Sequence, residues 1–400
     1  MHTLSTEPRS QRLEKFLAVD PNNTELLYDF AQALEEEGQN RRAIEIYQQL
    51  LELGNRTPAL LNQNGMLYMK LGEWQLAIML LQEAVDEDPD AAELVFNLGY
   101  SELAIGNASN SREHLEKAIT LSPEEAQYHY YLALACDESA DHNGFSQSLK
   151  TALKHDPDHH GARLMSAFSS LEDGDIAVAK QEVKALLERH PKSLDALVLK
   201  AQLALMDFDA KTALHILRDA NSSAPDNFEV SLVLGQTYLL LQRTGQARTV
   251  LEKAVTINPD SSVAQISLGW SALLQDDLVK AESAFQAAIK LDGEDADGYA
   301  GVAIIRFGQK RFPEADLLAS KALEFNPDNV PALMVKTALS SREGNQRSAT
   351  EFGHELYKSH SLGPFGWSTG DIIKRFESSS AVKHILKKQA RRIKRYEKNQ

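Results

Sequence analysis

Apolar residues along most of the chain fall into two alternating helical stripes, and the pair of stripes recurs every 34 residues. In one cycle the first stripe is Val230, Leu234 and Tyr238 and the second is Ala247, Leu251 and Ala254, the spacing of one buried helix face. Small residues keep the phase. Ala43, Ala77, Ser111, Ala179, Ala213, Ala247, Ala281, Ala315 and Ala349 form one column, with Phe145 in the remaining slot. A second column runs Ala31, Gly65, Gly99, Ala133, Ala167, Ala201, Gly235, Gly269, Ala303. Such positions are where two helices cross closely, because a larger side chain would hold the backbones apart. Pro21, Pro89, Pro123, Pro157, Pro191, Pro225, Pro259 and Pro327 close the cycles, with Asn55 and Gly293 in the two gaps. Each proline ends a second helix by withholding an N–H and clashing with the preceding turn.

The two small-residue columns and the proline column resemble the tetratricopeptide repeat family. Ten consecutive repeats fit in one phase from Thr24 to Gly363, and Arg9 to Val19 reads as the second helix of a partial repeat before them. The resemblance implies an all-α fold, a right-handed superhelical solenoid of helix-turn-helix repeats. It divides the chain into a partial N-terminal repeat helix (1–23), the repeats (24–363), and a C-terminal cap with a basic amphipathic tail helix (364–400). Repeats stacked on nearest neighbours make one continuous core. The prolines exclude a heptad coiled coil.

In the family resembled, the first helix of each repeat lines a concave groove. Carried onto this sequence, that implies a groove floor that is apolar through the middle repeats: Phe96, Asn97 and Tyr100, then Tyr130 and Tyr131, then Phe168, Leu199, Leu240 and Trp270. Carboxylates stand among them, including Glu93, Asp137, Glu138 and Glu172. Exposed apolar surface on this scale marks an interaction site, here a groove for an amphipathic helix or extended apolar segment. The alternative is that neighbouring repeats already bury many of these side chains. On the groove reading, Leu199→Asp with Leu240→Asp abolishes partner capture and leaves helical content intact. Two ligand modes known in the family lack their residues here. Of the carboxylate clamp that holds chaperone C-termini only Asn97 is present, and no asparagine ladder follows Asn97, since Tyr131, Met165 and Leu199 occupy the next slots.

Charge divides the chain. Residues 358–400 carry 11 Lys or Arg and 3 Asp or Glu, net +8, which leaves 31 against 54, net −23, for residues 1–357. In the tail Val382, Ile385, Leu386 and Ile393 form an apolar stripe, with Lys387, Lys388, Arg391, Arg392 and Arg395 among the basic residues around it. Such a segment reads as a solvated capping helix, as a docking element for protein, or as a contact for membrane or nucleic acid. It also complements the groove of its own body, apolar to apolar and basic to acidic, so self-occupancy or self-association is expected.

Letters that suggest chemistry lack its context. Gly366-Trp367-Ser368-Thr369-Gly370 matches the nucleophile elbow, which needs a strand before it and a helix after it; a turn explains the same letters. His155-Asp156-Pro157-Asp158-His159-His160 has metal-ligating side chains, but it spans an inter-repeat turn where polar residues are expected and no second ligand set follows. No phosphate-binding glycine loop is present. Cys136 is the only cysteine and falls in a first-helix core slot, so a buried thiol is expected. No stretch approaches a membrane span and the first residues lack an apolar signal core, so a cytoplasmic protein is expected. Gly298 and Gly301 within one first helix read as a soft point. Together these features describe a non-catalytic scaffold or adaptor, chaperone-like, that takes a protein or peptide ligand and no cofactor or metal. A regulatory or assembly factor recruited to membrane or nucleic acid through the tail is the alternative, with an enzyme a distant third.

Overall fold

A computed structural model of the chain describes residues 8–351 except Phe208, Gln346 and Ala349. The chain divides into two compact units, residues 1–182 and 183–400. In the first unit α1 (Arg9–Leu17) leads to α2 (Thr24–Glu36), α3 (Asn40–Glu52), α4 (Pro58–Lys70), α5 (Trp74–Glu87), α6 (Ala92–Ala104), α7 (Ala108–Leu121), α8 (Ala126–Glu138), α9 (His142–His155) and α10 (His160–Glu172). Helix α11 (Ile176–Arg189) contains the boundary. The second unit continues with α12 (Leu194–Met206), α13 (Ala210–Ser223), α14 (Phe228–Leu240), α15 (Thr244–Ile257), α16 (Ser262–Leu273), α17 (Leu278–Leu291), α18 (Ala296–Gly308), α19 (Phe312–Phe325) and α20 (Val330–Arg342). Every element among the described residues is an α-helix. Even-numbered helices start 34 residues apart from Thr24 to Val330, and odd-numbered helices do so from Asn40 to Phe312. The second helix expected after α20 is not fully described, and the cap, the Gly366–Gly370 letters and the basic tail lie outside the described residues.

The small columns work as sockets for one large side chain. A Cβ added at Gly65 would stand 2.9 Å from Leu81, at Gly99 3.1 Å from Leu115, at Gly235 2.5 Å from Leu251, and at Gly269 2.6 Å from Phe285. Each of those four side chains is fully buried and comes four residues after the small residue of its second helix. The helix pair closes because glycine leaves room for the side chain. Phe285 is gripped twice, since a Cβ at Gly301 would also meet its ring at 2.6 Å. The glycines that read as a soft point in α18 therefore have a packing role: Gly301 receives Phe285, and Gly298 leaves space for Ile289 at 2.8 Å.

Helix ends repeat less strictly than helix faces, since Ala91 and Glu125 before α6 and α8 give no side-chain cap. The residue before a first helix caps it through its side chain at Asn23, Thr57, His159, Ser193, Asn227, Ser261, Asp295 and Asn329, each accepting from a backbone N–H of the first turn. Residues just before the prolines, such as Asp88 (φ −136°, ψ 80°) and Asn326 (φ −139°, ψ 98°), are extended, the conformation that a following proline imposes. In nine of the reversals that follow a first helix the chain turns through one left-handed residue, which is Gly38, Gly72, Gly106, Gly174 and Gly344 in five, while Ala140, Gln242, Asp276 and Lys310 hold the same conformation at φ 55° to 63°. Left-handed backbone strains a residue with a Cβ. Ala140→Gly, Gln242→Gly and Lys310→Gly are each expected to raise stability by about 0.5–1 kcal/mol, read as a higher urea midpoint at unchanged slope.

Ion pairs also keep the period. Arg112 reaches Glu116 and, at 2.8 Å, Asp141 of the next second helix's cap, and Arg248 reaches Glu252 and, at 2.9 Å, Asp277 in the same way. These half-exposed pairs orient neighbouring second helices and add little stability.

Candidate partner-binding surface

The first helices α6 and α8 of the first unit, with Trp74 of α5 and the residue that caps α10, bring together a connected set of rings. Phe96 stacks on Tyr128 at 4.6 Å and meets Tyr131 edge-on at 5.4 Å; Tyr100 lies 4.6 Å from Tyr131 and 5.8 Å from Trp74; Tyr130 lies 5.2 Å from Tyr131 and 4.9 Å from His159. Such offset and edge contacts are favourable beyond the area they bury. Tyr130 rests directly on α10, because a Cβ at Gly161 would come within 2.7 Å of its ring. Burial, with Tyr100 beside it, pushes the Tyr131 hydroxyl up to about 12, so it remains a neutral donor across the working pH range. Tyr100, Tyr130 and Tyr131 are half-buried, and Phe168 on α10 is 38% exposed.

The expected groove floor is narrower than the sequence implied. Phe96 and Asn97 are buried, Leu240 is 9% exposed and Leu199 is fully buried. Phe96 turns into the ring stack, and the Asn97 amide donates to Asn62 Oδ1 at 2.9 Å. Leu240 belongs to the core around α14, where nearly the whole first helix is covered. Trp270 is half-buried and set edge-on against Phe285 at 5.2 Å, so its indole braces the socket described above. The exposed apolar area expected of Phe96, Leu199 and Leu240 is thus core, because neighbouring helices cover more of each first helix than its own stripe reveals. Of the expected floor, Tyr100, Tyr130, Tyr131 and Phe168 keep surface in the first unit.

Three members of the ring set were not expected from the sequence. Trp74 opens a second helix, Tyr128 sits one turn before Tyr131 at a position outside the implied groove, and His159 is an N-cap residue. The cap was legible as a polar residue preceding an apolar stripe, whereas the ring contacts come from different repeats.

Charges nearby divide into answered and unanswered ones. Glu102, in the last turn of α6, is buried and bonds His114 Nδ1 at 2.7 Å. That hydrogen bond raises the His114 pKa against the opposing effect of burial. A raised folded-state pKa stabilises below the unfolded value near 6.5 and is lost as pH rises through the folded value. Wild-type chain is therefore expected to lose stability relative to His114→Gln as pH rises from about 6.5 to 9, measured as the difference in melting temperature; parallel curves would refute the coupling. Cys136 is buried, and burial pushes its thiol up, the state of a core residue. In the histidine-rich turn His159 Nδ1 accepts from the Ala162 N–H at 3.1 Å and His155 stacks on His129 at 5.5 Å; among the described residues no group of three His, Cys, Asp or Glu is placed to hold a metal. No helix among them is long and apolar enough to cross a membrane.

Paired helices repeated in this way define a protein-interaction scaffold. Residues 28–92, 62–126, 96–142 and 204–268 match models described as tetratricopeptide repeat, and the chain belongs to the tetratricopeptide repeat family. Among solved structures, a tetratricopeptide repeat protein from Parabacteroides merdae is similar at 16% identity over 62% of this chain and 98% of its own, with a TM-score of 0.52. A monomeric mutant of IFIT1, solved with Gppp-AAAA, is similar at 16% identity over 87% of this chain and 94% of its own, with a TM-score of 0.50. At these identities the likeness is one of fold, an all-α superhelical repeat architecture. No curated protein sequence matches the chain.

Proposed function

We propose that the protein is an adaptor, chaperone-like in gripping an apolar or amphipathic segment of another protein, and that the grip lies on the first-helix face of the first unit. The observation that carries this reading is the ring set of α6 and α8. Its inner members are locked against one another, while Tyr100, Tyr130 and Tyr131 keep surface to offer, and Phe168 on the next first helix, α10, is exposed. Rings held rigid before binding lose little side-chain freedom on contact, which is why tyrosine-rich surfaces carry so much interface energy.

Partners are to be captured by crosslinking with the full-length chain, identified, and titrated against variants. Phe168→Asp is expected to weaken the captured partner by about 30-fold, the loss of one strong anchor, with the melting temperature nearly unchanged. A partner bound equally well by Phe168→Asp and by Tyr100→Ser would sink this assignment.

A further inference from the structure

Three carboxylates share a helix side with rings of the set, and a fourth shares one with Phe168. Glu93 lies three residues before Phe96 on α6, Asp137 and Glu138 lie seven after Tyr130 and Tyr131 on α8, and Glu172 lies four after Phe168 on α10. Those spacings put each on the same side of its helix as its ring. All four are exposed, and none has a cation in ion-pairing distance among the described residues. Asp137, Glu138 and Glu172 end their helices, where the negative pole of the backbone disfavours a carboxylate, and α8 and α10 carry no basic residue in the last turn. Elsewhere in the unit acids are answered internally: Glu102 by His114, Glu116 and Asp141 by Arg112, Glu182 by Arg163. An unanswered acidic rim around exposed rings fits an apolar stripe flanked by Lys and Arg.

The chain carries such a segment. Val382, Ile385, Leu386 and Ile393 are interleaved with Lys387, Lys388, Arg391 and Arg392, in a tail of net charge opposite to the body. We propose that residues 382–395 of a second copy dock on the first-helix face of the first unit, apolar residues on Tyr100, Tyr131 and Phe168 and basic residues on the rim, until a partner displaces them. This rests on reading that face as an apolar docking surface.

Zero-length carbodiimide crosslinking of the intact chain joins lysine to carboxylate only at ion-pair range. Peptide mapping is expected to find Lys387, Lys388 or Lys394 joined to Asp137, Glu138 or Glu172, and a mixture of isotope-labelled and unlabelled chains is expected to show the link between two chains. A labelled peptide of residues 378–400 is then titrated into full-length chain carrying Lys387→Glu, Lys388→Glu, Arg391→Glu and Arg392→Glu, so that the resident tail does not compete. Adding Asp137→Asn, Glu138→Gln and Glu172→Gln to that chain is expected to weaken the peptide at least about tenfold at low salt, less at high salt. Tail lysines joined only within one chain or only to other carboxylates, or peptide affinity indifferent to the three neutralised acids, overturns the proposal. If either occurs while Phe168→Asp still costs partner affinity, the occupant is wrong and the docking face stands; if Phe168→Asp has no effect on partner or peptide, the face itself is wrong.

Discussion

Replacing Phe285 by alanine is expected to lower stability by about 3–5 kcal/mol, the range for removing a fully buried aromatic ring. The ring has no exposed surface and is held from both sides, by α16 at Gly269 and by α18 at Gly301. Alanine leaves a void that neither helix can fill without moving, and Trp270 loses its edge contact as well. The reciprocal change tests the same geometry by overpacking: Gly301→Val puts methyl groups where three ring carbons already stand within 2.6 Å of a Cβ position. Because repeat arrays unfold through nearest-neighbour units, the loss is to be read by hydrogen exchange of α16 to α18 alongside the global melt. Leucine is tolerated better, since Leu81, Leu115 and Leu251 occupy the equivalent socket against Gly65, Gly99 and Gly235. A Phe285→Ala chain as stable as wild type would mean that the socket is not packed as described.

Leu199→Asp is expected to unfold the region around α12, costing about 4 kcal/mol or more, because a carboxylate forced into a site with no solvent and no cation keeps its full desolvation penalty. Leu199 is among the largest fully buried side chains of the molecule. The same substitution at Phe168, 38% exposed on α10, is expected to change stability by no more than about 1 kcal/mol. The pair separates folding from binding: Leu199→Asp loses helical signal at 222 nm and with it any partner, whereas Phe168→Asp keeps the helical signal and loses the partner. Equal behaviour of the two variants in circular dichroism would contradict the burial assigned to them.

Much of the architecture was legible in the chain. The 34-residue phase located the helix pairs from α2 and α3 to α18 and α19 and the first helix after them, the small columns located their crossing points, and the prolines located the ends of second helices, because each depends on a local rule of backbone or side-chain size. Arg9–Val19 also read as a second helix, and α1 covers Arg9–Leu17. The cap column from Asn23 to Asn329 was present in the letters and went unread. The four non-glycine left-handed residues were not legible, since Ala140, Gln242 and Lys310 have no preference for that conformation and hold it only because two packed helices must be joined there.

The candidate surface was legible by type and not by exposure. Phe96, Tyr100, Tyr130 and Tyr131 were marked as neighbours on first helices, and they do form one ring set. Leu199 and Leu240 were marked by the same rule and are core. A stripe calculated on one helix cannot show how far the helices on either side close over it.

What the sequence determined by itself is the repeat: its period, its two amphipathic helices, the glycine that admits one large side chain, and the opposition of an acidic body to a basic tail. Each follows from covalent geometry, side-chain size or charge, which travel with the residue. Only the tertiary structure decided which apolar side chains of a first helix are core and which remain surface, and which carboxylates are answered. Those outcomes depend on residues of other helices, 12 to 35 positions away in the chain, such as His114 on Glu102, Arg163 on Glu182, Arg112 on Asp141 and Asn97 on Asn62, and such contacts exist only once the helices are packed.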